Sequence, residues 1–117
     1  MTNPAVKRGA VILVLFPHSD LRTARPRPAL VVQADDIEAE LSQVIVAMIT
    51  SRMFRANHPS RVSIILATPE GQRSGLLTDS VVMCDNLATI AETEIGRVIG
   101  MLPMARIDAA LRYTLGL

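Results

Sequence analysis

The chain has no tryptophan, two phenylalanines and one tyrosine in 117 residues, although half of its residues are apolar. A core built on aromatic rings is therefore excluded, and Val, Ile, Leu, Met and Ala must fill it, a palette that favours strands packed closely on one another. Cysteine is almost absent too. The single Cys84 offers neither a disulfide framework nor a metal cluster, and within an apolar strand pattern it reads as a buried small hydrophobe. The longest apolar run, Ala10 to Phe16, is far too short to cross a bilayer, and the first residues lack the basic, apolar and small-residue order of a signal peptide. A cytoplasmic protein with no membrane role is expected. Also missing are a phosphate-binding glycine loop, a Cys/His set at zinc spacing, a nucleophile elbow and a His-Glu helix motif. No metal and no cofactor is implied.

The net charge of +1 favours neither sign, but its distribution is uneven. From Pro17 to Pro28 stand His18, Arg22, Arg25 and Arg27 against Asp20 alone, and from Ser51 to Arg61 stand Arg52, Arg55, His58 and Arg61 with no acid. Between these stretches Asp35, Asp36, Glu38 and Glu40 form an acidic cluster. Two basic loops in a near-neutral protein point to a local anionic partner.

A chain of this length makes one domain, residues 1–117. Strands are expected at Ala10–Phe16, buried on both faces, and at Ala29–Gln33, Val44–Thr50 and Arg61–Ala67, the last paired as a hairpin with the third. Pro69-Glu70-Gly71 reads as a turn. Ser80–Cys84 follows as a fifth strand punctuated by Asp85-Asn86, with short strands near Ala88–Ile90 and Arg97–Met101 and a turn at Glu92–Glu94. The period then changes. Met104, Ile107, Leu111 and Leu115 recur at helical spacing, Pro103 suits the first helical position and Gly116 the exit. Many short strands and one amphipathic helix predict a mainly β fold, a small antiparallel barrel with a C-terminal α-helix.

Arg25-Pro26-Arg27-Pro28 feeds a basic loop directly into the second strand. Each proline fixes its own φ and pushes the residue before it toward extended backbone, so Arg27 enters the strand with little freedom. Such a guanidinium can hold two phosphate oxygens in its planar fork. Thr50-Ser51 closes the third strand. If the second and third strands are antiparallel neighbours, a fixed cation stands beside a hydroxyl at one rim, a pair able to hold a phosphodiester and stabilise the charge that develops when it is attacked. Met53 and Phe54, inside a basic loop, are candidates for base stacking or for a subunit interface.

Arg8-Gly9 opening an apolar strand to Phe16-Pro17, then Ser19-Asp20, Arg27-Pro28-Ala29-Leu30-Val31-Val32, Val46-Ala47-Met48-Ile49-Thr50-Ser51, Gly75-Leu76, Ser80, Cys84-Asp85 and Ile99-Gly100 together resemble the MazF/PemK family of toxin endoribonucleases. The resemblance covers nearly the whole chain. It implies an SH3-like β-barrel, a homodimer, and metal-independent cleavage of single-stranded RNA, chiefly messenger RNA, through the 2′-hydroxyl, held in check by a cognate antitoxin protein. Carried over by position, Arg27 and Thr50 match the family's active-site arginine and threonine, Ser51 follows the latter, and Asp85 matches an aspartate proposed as a base in one branch. His18, Arg22, Arg25, Arg52, Phe54 and Arg55 are then the candidates for RNA binding. Two positions depart from the pattern: Ala10 replaces an acidic residue, and Met83 an arginine that accompanies the aspartate. The resemblance thus supports Arg27 and Thr50 more fully than Asp85. A non-catalytic toxin of the same fold gripping a protein partner such as gyrase, or a catalytically dead relative, is the alternative.

Overall fold

A computed structural model describes residues 6–15, 26–35 and 42–117. Six strands, β1 (Ala10–Leu15), β2 (Pro26–Val31), β3 (Gln43–Thr50), β4 (Arg61–Ile64), β5 (Ser80–Ala91) and β6 (Ile95–Met101), are followed by the C-terminal helix α2 (Ala105–Leu115), and a short helix α1 (Pro69–Arg73) lies between β4 and β5. The strands form one antiparallel sheet in the order β4-β5-β3-β2-β1-β6.

Both faces of this sheet are apolar, because alternate residues of each central strand enter different cores. On one face Val11, Leu30, Ala47, Ile49, Val62, Ile64, Val82 and Cys84 pack with Ile107, Ala110 and Leu111 of α2. On the other, Ala10, Ile12, Val14, Ala29, Val31, Val44, Val46 and Ile90 form a second cluster, joined by Ile95 and Val98 of β6. That second cluster gathers β5 and β6 from opposite flanks of β3-β2-β1, so the sheet curls into the expected barrel-like form with β4 and β6 left as edges. The unbroken apolar run of β1 is thereby explained. Gly116, with φ +71°, ends α2 by the left-handed exit read from the sequence.

The structure corrects several local expectations. β4 pairs with β5 and not with β3, whose neighbours are β2 and β5. Pro69-Glu70-Gly71 opens α1 instead of a turn: Thr68 caps the helix by accepting the Gly71 N–H at 3.1 Å, and Pro69 occupies its start. The stretch from Ser80 to Ala91 is a single strand, and Cys84-Asp85-Asn86 is a bulge within it, since Met48 pairs with Met83 while Ala47 pairs with Leu87. β2 begins at Pro26, so Arg27 lies inside the strand. Residues 26–28 extend past the last pair made with β3, an edge position that prolines tolerate.

Candidate active site

Ala29 pairs with Met48 in the β2–β3 ladder. Continuing that antiparallel register by two residues sets Arg27 opposite Thr50, the juxtaposition expected from the sequence. Both line a groove of about 800 Å³ at the strand ends, with Ser51, Arg52 and Arg55 beyond β3, Arg97 of β6, and the segment Gly75 to Thr78 as its far wall. Gly75 adopts φ +73°, and a Cβ there would collide with the Ile99 carbonyl, so this wall lies backbone to backbone on β6. Ser74 ties it down, its hydroxyl donating to the Gly71 carbonyl at 2.7 Å and accepting the Leu76 N–H at 3.1 Å.

Charge decides what the groove can hold. Its described lining contains four guanidiniums, from Arg27, Arg52, Arg55 and Arg97, and no carboxylate. Such a surface attracts an extended anion. Thr50 Oγ1 accepts the Arg52 N–H at 3.2 Å, which satisfies one lone pair and leaves the hydroxyl proton free to turn toward a ligand. Arg55 Nη1 rests 3.8 Å from the sulfur of Met83, a weak contact on the groove floor. Its guanidinium also lies 5.8 Å from the ring of Phe54, which is 78% exposed and does not itself line the groove.

Asp85 stands apart from this set. It is exposed, outside the groove lining, and gripped by Arg61, whose Nη2 donates to Oδ2 at 2.9 Å while Nε lies 3.3 Å from the same oxygen. The hydrogen bond from Arg61 holds its carboxyl below the ordinary value, against the opposing effect of partial burial. Its neighbour Cys84 is buried, as read from the sequence, and burial pushes its thiol up to about 11. The candidates His18, Arg22 and Arg25 lie outside the described residues. Arg97 escaped the sequence reading. Its one signal was a lone cation in an otherwise apolar strand, and only the pairing of Arg97 with Leu13, itself in the groove, brings it to the site.

A family profile described as PemK-like, MazF-like toxin of type II toxin-antitoxin system matches residues 7–114. The chain belongs to this toxin family. The endoribonucleases MazF2 of Mycobacterium bovis and MazF6 of Mycobacterium tuberculosis are each 35% identical to it over 107 residues, covering 88% of this chain and 90% of theirs. A solved endoribonuclease in complex with its cognate antitoxin, from a mycobacterial species, superposes with a TM-score of 0.73 at 25% identity over 97% of both chains. This MazF-like toxin is thus a toxin-antitoxin component on the architecture of RNA-cleaving relatives, and no helix among its described residues is long and apolar enough to cross a membrane.

Proposed function

We propose that the arginine-lined groove is the active site of a metal-independent endoribonuclease that cuts single-stranded RNA, chiefly messenger RNA, in the cytoplasm. The observation that supports it most is the meeting of four guanidiniums and the Thr50 hydroxyl in a groove whose described lining holds no acid. RNA carries its own nucleophile, so a protein that aligns the 2′-hydroxyl with the phosphorus and stabilises the developing charge supplies much of the catalysis. Arg27, set in β2, takes the phosphoryl oxygens of the cleaved linkage, and Thr50 donates its proton to the same phosphate. Ser51 lies beside them at the end of β3. Arg52, Arg55 and Arg97 hold the flanking phosphates. As the 2′-oxygen bonds to phosphorus the bond to the 5′-oxygen breaks, and the 2′-hydroxyl proton passes through solvent to that departing oxygen; Arg27 and Thr50 supply alignment and charge, while Asp85 lies outside the described groove lining.

The toxin works as a homodimer, since two copies of the basic groove lengthen the track for one strand, and a cognate antitoxin silences it by covering that track. The expected products are a 2′,3′-cyclic phosphate or its opened 3′-phosphate and a free 5′-hydroxyl. Incubation with a single-stranded RNA and its deoxy counterpart in excess chelator, with the ends mapped, tests the reading. Cutting of the RNA alone supports it. Cutting of both strands, or activity that stops with chelator, overturns it.

A further inference from the structure

Asp85 and Arg61 have no role in that reading, yet two nitrogens of one guanidinium join them beside Met83, which lines the groove. We infer that Asp85 is a positioning residue: through Arg61 it fixes the end of the 51–60 loop so that Arg55 is already set in the groove before a nucleic acid strand arrives. The inference rests on the groove being the RNA site.

The connection runs through one guanidinium. Two nitrogens of Arg61 engage Asp85, with Nη2 at 2.9 Å and Nε at 3.3 Å from Oδ2, and the remaining Nη1 donates to the Arg55 carbonyl at 3.0 Å. That carbonyl closes the 3₁₀ turn Met53–Arg55, where a helical segment leaves its last carbonyls without internal partners. The β5 bulge aims Asp85 at Arg61, which pairs with Met83 across the β4–β5 ladder. Met83 in turn supplies the sulfur on which the Arg55 guanidinium rests. Arg55 is therefore held at its carbonyl by Arg61, while its guanidinium rests more weakly on Met83.

Other contacts lock the loop's return into the sheet. Ser60 is buried, its carbonyl accepts the Cys84 N–H at 2.9 Å, and its hydroxyl lies 2.6 Å from His58 Nδ1. The turn itself has little apolar anchorage, since none of its three residues is buried. A polar clamp does what a core residue would otherwise do, and a side chain ordered in advance loses less freedom when it binds.

The test uses the full chain and two readouts: binding of a single-stranded deoxy oligonucleotide, and kcat and KM on the matching RNA. Asp85→Ala and Arg61→Lys should each raise the oligonucleotide Kd and the RNA KM about fivefold with kcat nearly unchanged. Arg61→Lys keeps the charge but cannot span carboxylate and carbonyl together, so its loss separates positioning from bulk electrostatics. In an Arg55→Ala background neither change should weaken binding further. A fall in kcat at constant KM, or effects that add fully to Arg55→Ala, overturns the inference. Should Asp85→Ala fail to fold, Arg61→Lys carries the same comparison. A protein that binds the strand but leaves RNA uncut refutes the catalytic reading while the binding cycle still decides the clamp, and a protein that binds no strand overturns both.

Discussion

Continued two residues past its last pair, Ala29 with Met48, the β2–β3 register sets Arg27 opposite Thr50, and both residues line the groove. Neither belongs to a core cluster: Arg27 stands near the start of β2, whose later residues are buried among apolar side chains, and Thr50 at the end of β3, most of whose earlier residues are. The scaffold fixes where these two groups are without depending on them.

Arg27→Ala should therefore lower RNA cleavage by about 100-fold or more, the usual consequence of removing a donor aimed at developing charge. The exposed arginine contributes little to the folded state, so stability should move by no more than about 0.5 kcal/mol. Arg27→Lys should recover only part of the activity, because an ammonium lacks the planar fork. Single-turnover cleavage and thermal melting check both statements, and full activity in a folded Arg27→Ala protein would remove this residue from the site.

Thr50→Ser and Thr50→Ala separate the hydroxyl from the methyl. Serine keeps the oxygen that accepts the Arg52 N–H and the proton that turns to the phosphate, so it should retain most activity. Alanine should lose about tenfold or more in kcat. Equal kcat values for the two variants would show that the hydroxyl does no chemistry.

Arg97 offers a test of the groove's extent. Its replacement by alanine should raise KM with little change in kcat, and reduce the salt dependence of binding by about one phosphate contact, a slope change of about 0.7 for a single strand. A titration of Kd against salt concentration reads this directly. An unchanged slope would confine the nucleic acid track to the β2–β3 side.

Asp85 gives a pH dependence with a defined sign. Its carboxyl is held below the ordinary 3.8 in the folded state, so its contribution to stability is full above that value and is lost as pH falls through the lower folded one. The stability difference between the protein and Asp85→Asn should be constant from neutrality down to about pH 4 and shrink in stronger acid. For an ion pair whose side chains are 26% and 29% exposed it should amount to about 1 kcal/mol or less. Chemical denaturation at a series of pH values measures it, and a difference that grows in acid would contradict the assignment.

The sequence disclosed most where local pattern and burial agree. β1 and β3 were legible because both of their faces are apolar, and α2 because Ile107 and Leu111 fall on one face and Gly116 ends it. The β2–β3 juxtaposition could be read because a single connection joins those strands. The partner of β4 could not. Adjacency in sequence favoured β3, whereas β3 is already flanked by β2 and β5, and nothing in Arg61–Ile64 records that competition. The Cys84-Asp85-Asn86 bulge hid for a similar reason, since Asp and Asn signal a turn as readily as an extra residue in a continuous strand. At the site, Arg27 and Thr50 announced themselves through neighbouring prolines and strand-end chemistry, while Arg97 reaches the groove only through a pairing made at long range.

The two-sided burial of β1, β2 and β3 has a bearing on how such a toxin can diversify. A strand with one wet face can accept new side chains there, but in these three nearly every position from Ala10 to Val14, Ala29 to Val31 and Val44 to Ile49 is committed to packing. Variation is thereby channelled to the rim, into the 51–60 loop and the Gly75 to Thr78 wall, where Phe54 and the almost fully exposed Leu77 touch no core cluster. The proposed cleaving pair sits where the scaffold leaves little room for change, while the surfaces offered to the rest of a strand can change without disturbing the core. A barrel of this kind can therefore alter which sequence it prefers without rebuilding the place where it would cut.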